Sequence, residues 1–359
     1  MIVVVKIGTS SVTDDAGVVD TAAIGRVVDQ IAMAHEAGHR LLLVTSGAIT
    51  AGEAVLGIDR TSADAATLQA LSTVGQHRLM ATYEDTFSRH NIHVGQVLVA
   101  PSDFFDRSRY LLARRVLERL LEIGVVPIVN ENDAVADDAI GFGDNDRIAA
   151  LVAHLVKADK LLLLTDMEGL FTADPRLDEE ASLIAEIVEV NAELEAAAGA
   201  AGSIQSRGGM ASKLSAAKMA AHSGVEAVIA SSARQGVVMG AITDEDVGTV
   251  FRARPSKLSA RKLWIGFAVP SKGRIKVDAG ASKALLKGGA SLLAVGATEV
   301  TGDFAAGDAV DVATPDGEVF AKGLTSMSST QARESIGKHS SEIPDSIPLI
   351  HRDQIVLTV

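Results

Sequence analysis

The first 250 residues alternate short apolar runs with longer segments in which apolar residues recur at helical spacing. The short runs lack strict polar alternation, which is typical of strands that are buried on both faces of a parallel sheet. They predict strands at residues 2–5, 41–44, 97–100, 125–129, 161–164 and 227–230. Helices are predicted at 21–37, 64–89 and 213–222. The pattern therefore predicts an α/β fold, a three-layer αβα sandwich with a mostly parallel sheet.

The pattern changes after residue 251. Gly, Pro and Ser then separate short strand-like runs at 275–277, 292–295, 309–312 and 355–359. The charge balance changes as well, since residues 1–254 hold 21 basic and 35 acidic residues and residues 255–359 hold 12 and 11. A chain of 359 residues also exceeds the usual size of one core. We predict an α/β domain over 1–251, a linker over 252–260 and a small β-rich domain over 261–359.

Composition excludes several classes of function. A net charge of −13 argues against a chain-wide nucleic-acid surface, because phosphate binding requires clustered Lys and Arg. The absence of cysteine excludes disulfides, thiolate metal sites and a cysteine nucleophile. The N-terminus has no basic segment or cleavage site, so it is predicted to be a buried strand and not a signal peptide. With no apolar run of about 18 residues, we expect a cytoplasmic protein without a membrane segment.

Candidate chemistry follows the first two predicted strands, and ligands of open α/β sheets lie at the carboxyl ends of strands. Residues 6–11, K-I-G-T-S-S, combine a lysine, a glycine that lets the backbone approach an anion, and three hydroxyl groups. Residues 45–49, T-S-G-A-I, offer backbone amides at a helix start for a carboxylate or phosphate. Each segment could also be an ordinary turn at the end of a strand.

Acidic and amide residues crowd two short clusters after the fourth strand. Residues 127–133 read P-I-V-N-E-N-D, and residues 142–146 read F-G-D-N-D. Repulsion among the acids is unfavourable unless they bind a cation, an ammonium group or lysine partners. A solvated loop is the alternative interpretation.

A fourth candidate combines residues 164–171, L-T-D-M-E-G-L-F, with residues 207–213, R-G-G-M-A-S-K. A glycine pair that opens a helix, with a lysine in its first turn, can hold an anion. The chain has no G-x-x-x-x-G-K-S/T loop, no H-R-D or D-F-G set and no G-x-G-x-x-G after its first strand. P-loop, protein-kinase and dinucleotide-binding interpretations therefore lose their main support.

Six motifs in order across residues 4–213 resemble the amino acid kinase family, and among its members the kinases that phosphorylate glutamate. They are V-V-K-I-G-T-S-S, V-T-S-G-A-I, P-I-V-N-E-N-D-A-V, F-G-D-N-D, L-L-T-D-M-E-G-L-F-T-A-D-P-R and G-G-M-A-S-K. Residues 261–265, 273–281, 283–285 and 291–293 resemble a PUA domain, a small β-barrel-like module. Ser206-Arg207 and Ser212 replace the Gly-Thr and Thr that the family often has, which leaves the details of ATP binding open.

The resemblance implies that ATP phosphorylates the γ-carboxylate of L-glutamate, the first step of proline biosynthesis. Phosphoryl transfer depends mainly on positioning and charge stabilisation, and an ionised carboxylate needs no base. The implied catalytic residues are Lys6, Lys213 and Asp166, with Asp166 orienting one or both lysines. The implied substrate-binding residues are Ser46, Gly47, Ala48, Asn130, Asp133, Asn145 and Asp146. The implied ATP-binding residues are Lys6, Gly8, Thr165, Asp166, Arg207, Gly208, Gly209, Met210, Ala211, Ser212 and Lys213.

The resemblance also implies that Mg²⁺ arrives with ATP, so that the protein binds no metal directly. Its expected partners are L-glutamate, proline as a feedback inhibitor, further copies of the chain in a homo-oligomer, and a glutamyl-phosphate reductase. Other acceptors remain open within the same fold, namely aspartate, carbamate, a nucleotide or an isoprenoid phosphate. The amide and acidic clusters favour glutamate over a phosphate acceptor.

A basic stretch at residues 252–287 leaves an RNA-binding alternative. It holds ten Lys or Arg residues and the single acid Asp278. Its only aromatic residues are Trp264 and Phe267, too few for a stacking surface. We therefore do not expect RNA binding as a main role, and we interpret the stretch as a solvated face or a contact to the acidic first domain.

Overall fold

In a computed structural model, the protein is described at residues 1–14, 16–100, 102–135, 144–175, 177–178, 180–188, 190, 194, 209–255, 258–339, 342 and 347–358. The chain forms two compact units, residues 1–258 and 259–359. The boundary between the two units falls inside residues 252–260, the predicted linker. The bounds of the linker itself stay a prediction. Over the described residues, every helix is too short or too polar to cross a lipid bilayer.

The first unit contains eight described strands in one sheet. They are β1 Ile2–Ile7, β2 Arg40–Val44, β3 Val94–Val99, β4 Val126–Glu131, β5 Lys160–Thr165, β6 Glu186–Ile187, β7 Glu226–Ser231 and β8 Gly248–Phe251. Its described helices are α1 Thr21–Glu36, α2 Ala48–Leu56, α3 Ala65–Ser88, α4 Ser102–Phe105, α5 Arg107–Glu122, α6 Asn145–Leu155, α7 Met210–Ser223 and α8 Val237–Ile242. The predicted strands and helices of this unit are confirmed, with ends that shift by a few residues.

The strand order is β3-β4-β2-β1-β5-β7-β8-β6, and only the β7–β8 pair is antiparallel. Val3 and Val5 of β1 join one apolar cluster with α1 and α3. Val4 points to the opposite face, where α6 packs, and is equally buried. The predicted α/β class with a mostly parallel sheet is confirmed. The prediction of burial on both faces fails for β3, because that strand lies at the sheet edge and its Leu98 is 38% exposed.

Two glycines allow α2 and α3 to approach closely. A Cβ added at Gly52 would lie 1.9 Å from the carbonyl oxygen of Leu71, and one at Gly75 would lie 1.8 Å from the carbonyl oxygen of Ala48. Any larger residue would force the two backbones apart. The contact places the middle of α3 against the first turn of α2, at the carboxyl edge of the sheet.

The second unit contains a separate five-stranded sheet. Its strands are β9 Gly273–Val277, β10 Ala297–Gly302, β11 Ala309–Ala313, β12 Val319–Thr325 and β13 Ile350–Leu357, in the order β10-β9-β11-β12-β13. All neighbours are antiparallel except β9 and β11. The described α-helices are α9 Ala260–Leu263, α10 Ala279–Leu286 and α11 Ser329–Ser335, and a π-helix spans Trp264–Ala268. The predicted β-rich second domain is confirmed.

The run 292–295, predicted as a strand, forms none. Leu292 makes one isolated bridge with Ile350, and Ala294–Gly296 form a 3₁₀ turn. The carbonyl of Ala294 accepts from the amide of Gly337, and that of Gly296 accepts from the amide of Asp278. These loop contacts occupy the backbone groups that a strand would use for pairing.

Candidate active site

Two buried lysines share one buried carboxylate at the carboxyl end of the large sheet. Lys6 is the second-last residue of β1, and its Nζ lies 2.5 Å from Oδ1 of Asp146. Nζ of Lys213 lies 3.3 Å from Oδ2 of the same carboxylate. Lys6 is 3% exposed, Lys213 6% and Asp146 0%. The three side chains form what we call the lysine–aspartate cluster.

The electrostatics of this cluster keep its carboxyl group ionised. Burial opposes ionisation of Asp146, but attraction to Lys6 and Lys213 outweighs it and holds the pKa of the carboxyl below its usual value. Asp146 is therefore ionised at neutral pH and holds the two ammonium groups close together. Two ammonium groups held in this way are suited to bind an anion, such as a phosphoryl group that carries charge on its oxygens.

The first turns of α6 and α7 supply the members of the cluster beyond β1. Asp144 caps α6 by accepting from the amide of Asp146 at 3.0 Å. The hydroxyl of Ser212, in the first turn of α7, donates to Asp144 and lies 3.2 Å from Oδ2 of Asp146. This hydroxyl joins the two helix starts, and it places Lys213, the next residue, beside Asp146.

An amide cluster lies on the β2 and β4 side of Lys6. Nδ2 of Asn145 donates to Oγ of Ser46 at 2.9 Å and to Oδ1 of Asn130 at 3.1 Å. Nδ2 of Asn130 donates in turn to Oε1 of Gln76 at 2.7 Å. The structure thus joins three of the predicted substrate residues and adds Gln76, which sequence reasoning missed. Its only signal in the sequence is a polar side chain next to Gly75 within a long helix.

The other predicted substrate residues lie at the same edge. Gly47 caps α2 with φ 94°, a left-handed conformation that favours glycine, and Ala48 is the first residue of that helix. Asp133 begins a 3₁₀ turn, Asp133–Val135, that follows β4 and packs against α3. Asp146, which is also predicted to bind the substrate, lies beside the two lysines of the cluster. Both of its oxygens contact lysines, so it is the partner of Lys6 and Lys213 at this edge.

The predicted nucleotide residues lie mainly on the β5 side. Thr165 is the last residue of β5, and its hydroxyl donates to Asp166 at 2.9 Å. Within the described part of the chain this is the contact found for Asp166, which is exposed. The expectation that Asp166 orients one or both lysines stays a prediction. In the described residues both lysines contact Asp146, which lies in the first turn of a helix that packs on β1.

The start of α7 carries the other nucleotide candidates. Gly209 caps the helix, and Met210, Ala211, Ser212 and Lys213 form its first turn. Gly8 follows β1 in an extended conformation, and a Cβ added there would lie 3.7 Å from Nζ of Lys6. Arg207 and Gly208 lie outside the described residues.

The order of the strands divides the site into two sides. β1 has β2 and then β4 on one flank and β5 and then β7 on the other, which makes it the point where the strand order reverses. Ligands of such sheets bind in the crevice at that point. The amide cluster lies on the β2 and β4 flank and Thr165 on the β5 flank. The lysine–aspartate cluster lies between them.

Two further features concern metal ligands and the basic stretch at residues 252–287. Among the residues that the structure describes, no group of three or more His, Cys, Asp or Glu side chains is arranged to hold a metal ion. In the basic stretch, Lys272 pairs with Asp308 at 2.9 Å and Lys276 with Glu299 at 3.1 Å. These two lysines are therefore neutralised within the second unit.

Comparison with known proteins finds two family matches and relatives that cover nearly the whole chain. Residues 1–231 match the amino acid kinase family, and residues 273–347 match the PUA domain. Glutamate 5-kinase of Burkholderia multivorans is 46% identical over 360 residues, which cover 99% of this chain and 97% of that protein. Glutamate 5-kinase of Burkholderia vietnamiensis has the same identity and coverage. A solved structure of UMP kinase from Bacillus anthracis covers 70% of this chain and 96% of its own, with a TM-score of 0.47 and 18% identity.

Proposed function

The chain belongs to the amino acid kinase family, and we propose that it transfers the γ-phosphoryl group of ATP to the γ-carboxylate of L-glutamate. The product is L-glutamyl 5-phosphate, the first intermediate on the route to proline. The observation that carries the proposal is the lysine–aspartate cluster, which holds two buried ammonium groups together at the strand reversal. The full-length identity to glutamate 5-kinases supports glutamate as the acceptor.

In the proposed reaction, an oxygen of the γ-carboxylate bonds to the γ-phosphorus while the bond from that phosphorus to the bridging oxygen breaks, and ADP leaves. The attacking carboxylate is ionised at neutral pH, so no residue has to remove a proton. Negative charge spreads over the oxygens of the transferring group. Lys6 and Lys213 would stabilise it, and Asp146 would hold both ammonium groups in place beforehand, which limits rearrangement during the reaction.

The acceptor would bind on the β2 and β4 flank. Ser46 and the amides of Gly47 and Ala48 would receive a carboxylate, while Asp133 and Asn145 would receive the α-ammonium group. Asn130 would support Asn145 through its hydrogen bond. Asp146 is engaged by the lysines, and we therefore assign it to their positioning instead of to ammonium binding.

The nucleotide would bind on the β5 flank, with its phosphates directed at the lysines. Gly8, Thr165, Asp166, Arg207, Gly208 and the residues from Gly209 to Lys213 are the proposed contacts. Mg²⁺ would enter with ATP and be held mainly by phosphate and water oxygens, as this ion prefers. Together these assignments place the two substrates on opposite sides of Lys6.

The family resemblance extends the proposal to the setting of the enzyme. We expect inhibition by proline, assembly into a homo-oligomer and a cytoplasmic location. An acyl phosphate is a reactive anhydride, so a glutamyl-phosphate reductase is the expected consumer of the product. These expectations rest on the family and not on a contact in the structure.

Hydroxylamine traps an acyl phosphate as a hydroxamate and gives a direct test. The protein would be incubated with ATP, Mg²⁺, hydroxylamine and either L-glutamate or L-aspartate, and ADP release would be followed with carbamate, UMP and isopentenyl phosphate. We expect hydroxamate with L-glutamate, and its loss in Lys213→Ala. Turnover of another acceptor without turnover of L-glutamate would refute the assignment.

A further inference from the structure

One backbone hydrogen bond determines the orientation of every amide in the amide cluster. The amide of Glu131 lies 2.9 Å from Oδ1 of Asn130. A backbone N–H can only donate, so this side-chain atom must be the oxygen and the opposite atom must be Nδ2. Gln76 faces that Nδ2 and must therefore present its oxygen. Asn145 faces Oδ1 of Asn130 and must present its NH₂ group.

This orientation leaves one unpaired donor at one end of the amide cluster and one unpaired acceptor at the other. The donor is Nε2 of Gln76 and the acceptor is Oδ1 of Asn145. Both atoms are buried, and neither has a hydrogen-bond partner among the described residues. Leaving a buried polar group unpaired costs about 1–3 kcal/mol. Two such atoms beside a proposed substrate site indicate that a ligand satisfies them.

The polarity of the two atoms matches an α-amino acid. Oδ1 of Asn145 can accept from an ammonium group, and Nε2 of Gln76 can donate to a carboxylate oxygen. A phosphate acceptor would offer no donor to Asn145 when fully ionised. These two atoms therefore favour a phosphoryl acceptor that carries both an ammonium group and a carboxylate group.

We propose that Gln76 is a positioning and specificity residue of the acceptor site. Its Oε1 holds Asn130, and through Asn130 it orients Asn145, while its Nε2 donates to a carboxylate of the amino acid. This inference rests on the proposed function and names a residue that recognises its substrate. Gln76 is 8% exposed and Asn130 1%, so water competes little with these bonds.

The close contact of α2 and α3 explains how Gln76 reaches the site. Gly75, the preceding residue, lies against the carbonyl of Ala48, at the start of α2 beside Ser46. The helix can approach only because position 75 has no Cβ. Gln76 is thus delivered from a helix more than 50 residues away in sequence from Asn130.

Two substitutions distinguish the role of Oε1 of Gln76 from that of Nε2. Gln76→Glu keeps an oxygen for Asn130 but replaces the free NH₂ with an acceptor. Gln76→Met is similar in length and removes both. Gln96→Glu, on the exposed face of β3, is the matched control for the change of charge.

The readouts are KM and kcat for L-glutamate, KM for ATP and the melting temperature. Loss of a hydrogen bond to a charged group should raise KM for L-glutamate on the order of 10- to 100-fold in Gln76→Glu. KM for ATP should stay within about 2-fold, because hydrogen bonds on the acceptor flank do not reach the nucleotide. Gln76→Met should also lower kcat, because Asn130 and Asn145 lose their support.

Protonation gives a further readout that a purely structural role would not produce. When the carboxyl group introduced by Gln76→Glu is protonated, it carries an O–H donor in place of the lost NH₂ group. Burial raises the pKa of a carboxyl group, so KM of this variant for L-glutamate should fall towards the wild-type value as pH is lowered. The wild type and Gln96→Glu should show no such trend. Unchanged KM for L-glutamate in a folded Gln76→Glu variant would overturn the inference.

Turnover of L-glutamate by the wild type distinguishes a failure of this inference from a failure of the proposed function. If the wild type does not turn over L-glutamate, the proposed function fails. If it does and Gln76→Glu behaves like the wild type, only the role of Gln76 fails. If Gln76→Met does not fold, the kinetics of Gln76→Glu alone test the inference, since this variant retains the bond to Asn130.

Discussion

Buried lysines lie at both ends of the large sheet, but their ammonium groups are paired with carboxylates in different ratios. At the carboxyl end, Lys6 and Lys213 share the single carboxylate of Asp146. At the amino end, Lys160, the first residue of β5, is paired with Glu226 at 2.9 Å and also with Asp244. In the first cluster one carboxylate contacts two ammonium groups, and in the second one ammonium group contacts two carboxylates.

The shifts in pKa follow this difference. Burial disfavours the charged form of Lys160, but its bonds to Asp244 and Glu226 outweigh that and raise its pKa above the usual value. Its ammonium group also donates to the carbonyl of Ala241 at 2.7 Å. All of the hydrogen-bonding capacity of Lys160 is thus used within the protein, which is typical of a structural ion pair. Two lysines around one carboxylate can still attract an anion, which is typical of a functional site.

Asp146→Asn should produce the largest effect, because it removes the carboxylate that two buried ammonium groups share. Breaking a buried ion pair costs about 3–5 kcal/mol of the free energy of unfolding. Because the folded pKa of Asp146 is lowered, its contribution is complete above the unfolded value near 3.8 and is lost as pH falls through the folded value. Urea unfolding of both proteins should therefore show a constant difference from pH 7 to about pH 4.5 that shrinks at lower pH. A difference that does not depend on pH down to acid unfolding would contradict this assignment.

Lys213→Met tests the role of the lysine pair directly. Removing one donor to a developing negative charge lowers kcat by roughly 10²- to 10³-fold. Hydroxamate formation from L-glutamate measures the loss. Lys160→Met is the matched control, since it removes a buried lysine from the other end of the sheet, and it should keep kcat within about 2-fold. Equal losses in the two variants would remove the distinction between the two ends.

Lys160→Met should instead lower stability, by about 1–2 kcal/mol after allowance for the 70% exposure of the Asp244 side chain. The folded pKa of Lys160 is raised, so its stabilisation is complete below the unfolded value near 10.5 and is lost as pH rises through the folded value. Unfolding curves should thus differ at pH 7 and converge at strongly alkaline pH. Failure to converge there would argue against the ion pair as the cause.

Ser212→Ala should have the smallest effect. It removes the hydroxyl that donates to Asp144 and joins α6 to α7. A single hydrogen bond of this kind contributes about 0.5–1.5 kcal/mol, so kcat/KM for ATP should fall by a few fold. Ser212→Thr keeps the hydroxyl and should retain wild-type values within about 2-fold. Equal behaviour of the two variants in steady-state kinetics would show that the hydroxyl is dispensable.

Much of this site could be predicted from local pattern alone. Lys6, Ser46, Asn130 and Thr165 each follow or end an apolar run, and the carboxyl ends of parallel strands meet at one edge. Their assembly at that edge required only the correct identification of the strands. The choice of partners within the edge could not be predicted in this way. Asp146 and Asp166 are equally plausible in sequence, and only the packing of α6 on β1 favours the first.

The sequence by itself determined the α/β class, the change to a β-rich second domain and the polar residues that line one edge of the sheet. These properties depend on periodicity and on residues within a few positions of one another. Tertiary structure alone decided that β3 is an edge strand, that Asp146 is shared by two lysines and that Gln76 joins the amide cluster. Each of these depends on strand order, or on the close approach of backbones at Gly52 and Gly75, between residues far apart in the chain. Local propensity carries no information about such contacts, because they form only when the complete sheet and its helices have packed.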